Sequence, residues 1–190
     1  MAAKAMRIEC ADDVIALEVP PELSGYELVD GQLVPVSAVG PAHGSIAVEV
    51  ASRMQNFVKR RRIDGYVFVE TGYVLGLAQD PERLRGPDVS YVRGERLRAS
   101  ATPTQSKYFR FAPDLAVEIA SEARPKDMRQ RIREYIEAGT RVVWTIDAEN
   151  ASAAIYGEGG SIRRLQVGDS IDGGSLLPGF SLPLIELFEM

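Results

Sequence analysis

The feature that most constrains this sequence is an acidic residue in the middle of an apolar run. In the segment 114–120, which reads DLAVEIA, branched apolar residues alternate with Asp, Ala and Glu. Successive side chains of a β-strand point to opposite faces, so the branched residues share one face and Glu118 lies on the other, between Ala116 and Ala120. A carboxylate that faces a protein core is costly unless it is paired or binds a cation. The segment therefore predicts a buried strand in which Glu118 is either ion-paired or a metal ligand.

A helix and a second strand are predicted directly after this strand. The helix begins at Pro125, a residue that is favourable in a first turn, and ends at Gly139. Its apolar face comprises Met128, Ile132, Tyr135 and Ile136. The segment 141–146 has the apolar character of a buried strand. Strand, helix and strand in this order predict parallel pairing through a right-handed crossover.

The rest of the chain completes a mixed α/β pattern. Asp30-Gly31 lies between two short runs within 26–36, which is a strong hairpin signal and places this hairpin near a sheet edge. Apolar residues at three- and four-residue steps predict a helix over 41–62. The remaining predictions are a β-rich segment at 66–77, a polar loop carrying Arg83 and Arg85, a strand at 87–92, a loop at 93–110, a β meander at 151–166 and a closing tail at 179–184. The predicted fold class is α/β, with a central mixed β-sheet flanked by helices.

Composition indicates one soluble globular domain, because 45% of the residues are hydrophobic and 26% are charged. Within it we expect an N-terminal lead (1–20), a core (21–150) and a β meander with a C-terminal tail (151–190). Cys10 is the only cysteine and His43 the only histidine, which excludes an intramolecular disulfide and a Cys/His zinc cluster and fits a reducing cytoplasm. No apolar run reaches signal-peptide or membrane-span length, so we expect neither export nor membrane insertion. The net charge of −5 argues against a protein that coats DNA nonspecifically.

Three carboxylates have positions that suit metal chemistry. Asp88 follows a Gly-Pro pair at a strand start, Glu27 lies in the first strand, and Glu118 lies inside its apolar strand. Hard oxygen donors of this kind suit Mg²⁺ or Mn²⁺, which activates water and binds phosphate oxygens. Arg131 and Lys126, both on the helix after Glu118, are candidates for the cation that stabilises charge on a phosphate. The chemistry indicated is phosphodiester hydrolysis.

Motifs along nearly the whole chain resemble the Uma-two family of restriction-endonuclease-like proteins. They are Tyr26–Gly31, His43, Gly86–Ser90, Pro113–Ile119, Tyr135, Ala138-Gly139 and Val143–Asp147. The resemblance implies the PD-(D/E)XK nuclease fold, DNA as substrate, Asp88 and Glu118 as metal ligands and Glu27 as a further active-site acid. Two positions depart from the pattern. Arg131 stands where relatives usually carry lysine, and Ala120 replaces the lysine of the nuclease motif two residues after Glu118.

Each candidate also has a purely structural interpretation. Glu118 can form a structural ion pair with Arg131, Asp88 can serve as a turn residue, and Glu27 can be a solvated edge residue. Two hypotheses follow for function: an Mg²⁺- or Mn²⁺-dependent endonuclease, or a catalytically lapsed nuclease fold that acts as a nucleic-acid-binding or dimeric interaction module. An Arg131–Glu118 salt bridge that closes the site favours the second. The apolar tail 182–190 packs either on its own domain or on a second subunit, and we expect a homodimer.

Overall fold

The computed structural model describes residues 26–35, 39–100, 107–120 and 128–189. The strands are β1 (Tyr26–Val29), β2 (Gln32–Pro35), β3 (Gly65–Val69), β4 (Gly72–Val74), β5 (Leu84–Arg85), β6 (Val89–Arg93), β7 (Tyr108–Phe109), β8 (Leu115–Ala120), β9 (Val142–Asp147), β10 (Ser152–Gly157), β11 (Ile162–Leu165), β12 (Ser170–Gly173) and β13 (Leu177–Pro183). The α-helices are α1 (Pro41–Arg61), α2 (Gly94–Ala99), α3 (Met128–Glu137) and α4 (Leu184–Phe188). Within the described ranges no helix is long and apolar enough to cross a membrane.

A six-stranded mixed sheet carries the strand that contains Glu118. Its order is β11-β10-β9-β8-β6-β3, and β8 pairs in parallel with β9, as the strand–helix–strand pattern predicts. The branched apolar residues of β8 join the core that α1 covers with Ile46, Val50 and Met54. Ala116, on the other face, packs with Tyr135 of α3. The predicted alternation along β8 is confirmed, and both faces of the strand are buried because a helix lies on each.

A five-stranded sheet, of order β2-β1-β5-β4-β7, carries the N-terminal hairpin. The turn residues Asp30 and Gly31 have φ of 50° and 70°, as a two-residue hairpin with both central residues left-handed requires. The prediction of a hairpin near a sheet edge is confirmed, since β2 is the terminal strand. β1 also pairs with β5 at Leu28 and Leu84, which brings Glu27 close to Arg85.

The prediction of a loop over 93–110 is wrong at two places, because α2 and β7 lie within it. The N–H of Gly94 donates to the carbonyl of Asp64, and a Cβ at Gly94 would lie 1.9 Å from Asp64 Oδ1. Phe109 of β7 packs its ring 5.4 Å from that of Tyr73. Both elements depend on contacts with distant residues, and both are too short to leave a periodic pattern in the sequence.

The C-terminal tail packs on its own chain. Leu184 and Leu187 of α4 belong to the main core, whereas Ile185 is 45% exposed. An ion pair between Arg53 and Glu186 joins α1 to α4. The burial of Leu184 and Leu187 thus agrees with the first of the two alternatives for the tail, packing on its own domain.

Candidate active site

Glu118 lies in the middle of β8 with only 2% of its surface exposed. Its Oε1 accepts hydrogen bonds from Arg131 Nη2 at 2.8 Å and from the Tyr135 hydroxyl at 2.8 Å. Arg131 and Tyr135 are four residues apart on α3, so they share one face of the helix. Burial is the main cause that raises the pKa of Tyr135, which keeps its hydroxyl protonated and able to donate. Tyr135, interpreted from the sequence as a core residue, is thus also a polar partner of the candidate acid.

Asp88 is brought beside Glu118 by strand register. Asp88 directly precedes β6, whose Val89 pairs with Val117 of the antiparallel β8, so the backbone of Asp88 lies near that of Glu118. Asp88 Oδ2 accepts a 2.6 Å hydrogen bond from the N–H of Ile119. Asp88 Oδ1 lies 3.2 Å from His43 Nε2 on α1. The two acids that the sequence singled out as a pair are therefore adjacent in space.

The electrostatic state of Glu118 reflects its burial and both charged neighbours. Burial raises its pKa most, the guanidinium of Arg131 offsets part of that effect, and the charge of Asp88 raises the pKa again, giving a value of about 7. At neutral pH the carboxyl is consequently only partly ionised. A cation bound beside Glu118 would stabilise the ionised form of this carboxyl.

Glu27 lies on the other side of Arg131 and is part of an ion network. Both of its carboxylate oxygens lie 2.7 Å from Arg131 Nη1, and Oε2 also accepts from Arg85 Nη1 at 2.7 Å. The N–H of Gly86 donates to Glu27 Oε1 at 3.1 Å. Burial raises the pKa of Glu27, but the two arginines together outweigh it and hold the pKa below its usual range. Glu27 is not a solvated edge residue; it is an ionised acid that contacts Arg131.

Three further buried residues extend this network, and the sequence interpretation missed them. Arg85 Nε donates to Glu134 Oε2 at 2.7 Å, and Arg83 Nη1 lies 3.2 Å from Glu134 Oε1. Arg83 also pairs with Asp80 at 2.9 Å and with Asp30 of the hairpin turn at 2.8 Å. Arg83 and Arg85 were assigned to a polar loop, whereas Arg85 lies in β5 and both side chains are buried. Their spacing of two residues, which puts both on one side of a strand, was the available signal.

The structure describes four of the five site residues that the sequence predicts. Glu27, Asp88, Glu118 and Arg131 come together, while Lys126 and the predicted helix start at Pro125 lie outside the described residues. The basic run Lys59–Arg62 is exposed at the C-terminal end of α1, where positive charge complements the helix dipole.

A divalent metal suits the donor set of Asp88 and Glu118. Mg²⁺ keeps several waters and is commonly held by one or two carboxylates together with substrate phosphates. In the part of the chain that the structure describes, no group of three or more His, Cys, Asp or Glu side chains is placed to hold an ion. A metal here would therefore depend on these two acids, with water or substrate completing its coordination. The raised pKa of Glu118 fits that role, because burial and, to a smaller extent, the charge of Asp88 disfavour its ionised form, which a cation would stabilise.

Comparisons with known proteins agree with this architecture. The profile of the Uma2 family, described as "putative restriction endonuclease", matches residues 11–185. A crystal structure described as a "putative nuclease belonging to DUF820" from Anabaena variabilis is similar with a TM-score of 0.77 and 20% identity, covering 93% of this chain and 96% of that chain. A search of curated proteins gave no match. The structural likeness confirms the predicted restriction-endonuclease-like fold class.

Proposed function

Because this chain belongs to the Uma2 family, whose description supports a nuclease-like function, we propose that it is a divalent-metal-dependent endonuclease that hydrolyses phosphodiester bonds in DNA. The observation that carries the proposal is the proximity of Asp88, which precedes β6 and binds the N–H of Ile119, to Glu118 on β8: both acids are buried, and the charge of Asp88 contributes to the raised pKa of Glu118. Two adjacent buried carboxylates are costly for folding alone, and that cost is understandable if they hold a cation.

Asp88 and Glu118 would hold Mg²⁺ or Mn²⁺. When bound, the metal lowers the pKa of an attacking water and stabilises charge on the phosphate. Arg131 fixes Glu118 through its 2.8 Å bond and adds a permanent positive charge at the site. Because its pKa lies far above neutrality, Arg131 acts as an electrostatic group and not as a proton carrier. Glu27 positions Arg131, and Lys126 is a second candidate for the phosphate-stabilising cation.

One observation favours a second candidate, a catalytically lapsed fold that binds nucleic acid or a protein partner. Arg131 bridges Glu27 and Glu118, and all three side chains are nearly fully buried. This is the salt bridge that the sequence analysis identified as a mark of a closed site. In a lapsed protein the guanidinium would be the resident cation, and no metal would be taken up.

Supercoiled plasmid incubated with the protein and Mg²⁺ or Mn²⁺ separates these two functions. For the endonuclease we expect nicked and linear DNA, suppressed by EDTA and lost in Asp88→Asn and in Glu118→Gln. Asp172→Asn is the matched control, since Asp172 is 46% exposed and pairs with Arg163 at the surface. This control should cut like the wild type, and Lys126→Met tests the second cation.

The plasmid assay should be accompanied by calorimetry with Mn²⁺. No cutting and no heat of binding in a folded wild-type protein would reject the metal-dependent endonuclease and favour the lapsed fold. Cutting that survives in both acid variants would instead place the chemistry elsewhere in the chain.

A further inference from the structure

His43 is a buried histidine that the roles assigned above do not use. It lies in the first turn of α1, and its side chain is 8% exposed. Its Nε2 is 3.2 Å from Asp88 Oδ1, and its Nδ1, also buried, has no hydrogen-bond partner among the described residues. A single buried contact between an imidazole and a candidate ligand carboxylate is the arrangement by which outer residues orient ligands.

We propose that His43 is a positioning residue for Asp88: its Nε2–H and the backbone N–H of Ile119 together fix the carboxylate for metal binding beside Glu118. This inference rests on the proposed metal-dependent function. The two donors come from different elements, α1 and β8, and each contacts a different oxygen of Asp88. A carboxylate has about four lone-pair sites, so one bond to each oxygen restrains its plane and leaves lone pairs for a cation.

The geometry also assigns the tautomer of His43. An ionised carboxylate accepts hydrogen bonds but cannot donate them, so the hydrogen lies on Nε2. An N–H at Nδ1 would be a buried donor with no acceptor among the described residues, which costs free energy. A hydrogen on Nε2 and none on Nδ1 satisfies both conditions. His43 is thereby held as a donor to Asp88.

Two substitutions distinguish positioning from simple packing. The amide nitrogen of glutamine reaches about as far from the backbone as Nε2 of histidine, whereas that of asparagine reaches about as far as Nδ1. We expect His43→Gln to bind Mn²⁺ within about 3-fold of the wild type and His43→Asn to bind it about 10- to 100-fold more weakly. Calorimetry gives the affinities, and thermal unfolding of the metal-free proteins shows whether both variants are folded.

The second measurement needs no substitution at His43. Nitrogen NMR of imidazole-labelled, metal-free protein should show the Nε2–H tautomer in the wild type and a loss of that preference in Asp88→Asn. The other tautomer in the wild type, or equal Mn²⁺ affinities for the Gln and Asn variants, would overturn the positioning role while leaving the metal site intact. A wild-type protein that takes up no Mn²⁺ would overturn the metal assignment itself and, with it, this role for His43.

Discussion

At the scale of single residues, Glu118 combines a buried position with an incompletely compensated charge. Its pKa of about 7 lies above its usual 4.5, so between these values the folded protein binds a proton that the unfolded chain does not. Stability therefore falls as the pH rises through this window, and the loss is complete above the folded-state pKa. This change of stability with pH has the opposite sign to the change caused by a salt-bridged surface acid, whose pKa is lowered by folding.

The first prediction concerns this loss in metal-free protein. Between pH 5 and pH 8 the Tm of the wild type should fall by several degrees relative to that of Glu118→Gln, since about 1 kcal/mol shifts Tm by roughly 2–4 °C in a chain of this size. Calorimetric scans at both pH values measure the difference. Glu149→Gln, an exposed acid, is the control and should follow the wild type. Parallel pH profiles for wild type and Glu118→Gln would contradict the raised pKa.

Arg131 supplies the second prediction at this scale. Its guanidinium reaches Glu27, Glu118 and the carbonyl of Gly86 simultaneously, with donors at 2.7, 2.8 and 3.0 Å. Lysine keeps the charge but not the planar fork, so Arg131→Lys should cost about 1.5–3 kcal/mol. Arg131→Met leaves buried acids unpaired and should cost about 3–5 kcal/mol.

Urea unfolding at pH 8, where Glu118 is mostly ionised, measures these losses. The matched control is Arg133→Met on the exposed side of the same helix, which should change stability by less than about 0.5 kcal/mol. If Arg131→Met were as stable as Arg133→Met, the bridge between the two acids would have no energetic role.

At the scale of elements, ion pairs between buried side chains join β5 and the residue before it to α3. Arg85 Nε contacts Glu134 at 2.7 Å, and Arg83 contacts the other oxygen of the same carboxylate at 3.2 Å. β5 has only two residues, and such a strand has few backbone hydrogen bonds to hold it. We infer that the ion pairs fix its position against α3.

A double-mutant cycle tests this inference. Arg85→Met and Glu134→Gln should show a coupling energy of about 1–3 kcal/mol in unfolding experiments. The comparison pair is Arg98 and Asp64, which is 2.7 Å apart but 65% and 60% exposed, and its coupling energy should be clearly smaller than that of the buried pair. Equal coupling energies in the two pairs would mean that burial does not strengthen the ion pair between Arg85 and Glu134.

Features that depend on one segment could be predicted from the sequence, whereas contacts between distant segments could not. The hairpin at Asp30-Gly31, the alternation around Glu118 and the parallel β8–β9 pair depend on patterns within one segment, and all were predicted. Arg85 and Glu134 are 49 positions apart, so no local pattern reveals their contact. Asp88 and Glu118 were singled out as a pair because each is unusual in its own strand, and His43 stood out only as part of the family resemblance. Arg85 is unremarkable until the elements pack.

At the scale of the whole molecule, α1 is covered on one side by the six-stranded sheet and at its middle by α4. Leu184 and Leu187 of α4 are 0% and 4% exposed within the main core, whereas Ile185 points outward. His43 lies at the beginning of the same α1, whereas the ion pair with α4 lies near its middle, at Arg53. The C-terminal tail therefore packs on the same helix that carries His43.

The last prediction separates this packing from an intersubunit role. Leu187→Ala should lose about 2–5 kcal/mol, because it removes buried methyl groups and leaves a cavity. Ile185→Ala removes a similar side chain from a 45% exposed position and should lose less than about 1 kcal/mol. Urea unfolding gives both values, and gel filtration gives the oligomeric state. A tail that packs on its own chain requires both variants to elute as the wild type does. A larger loss at Ile185, or a changed elution volume in that variant, would instead place the exposed side of α4 in contact with a second subunit.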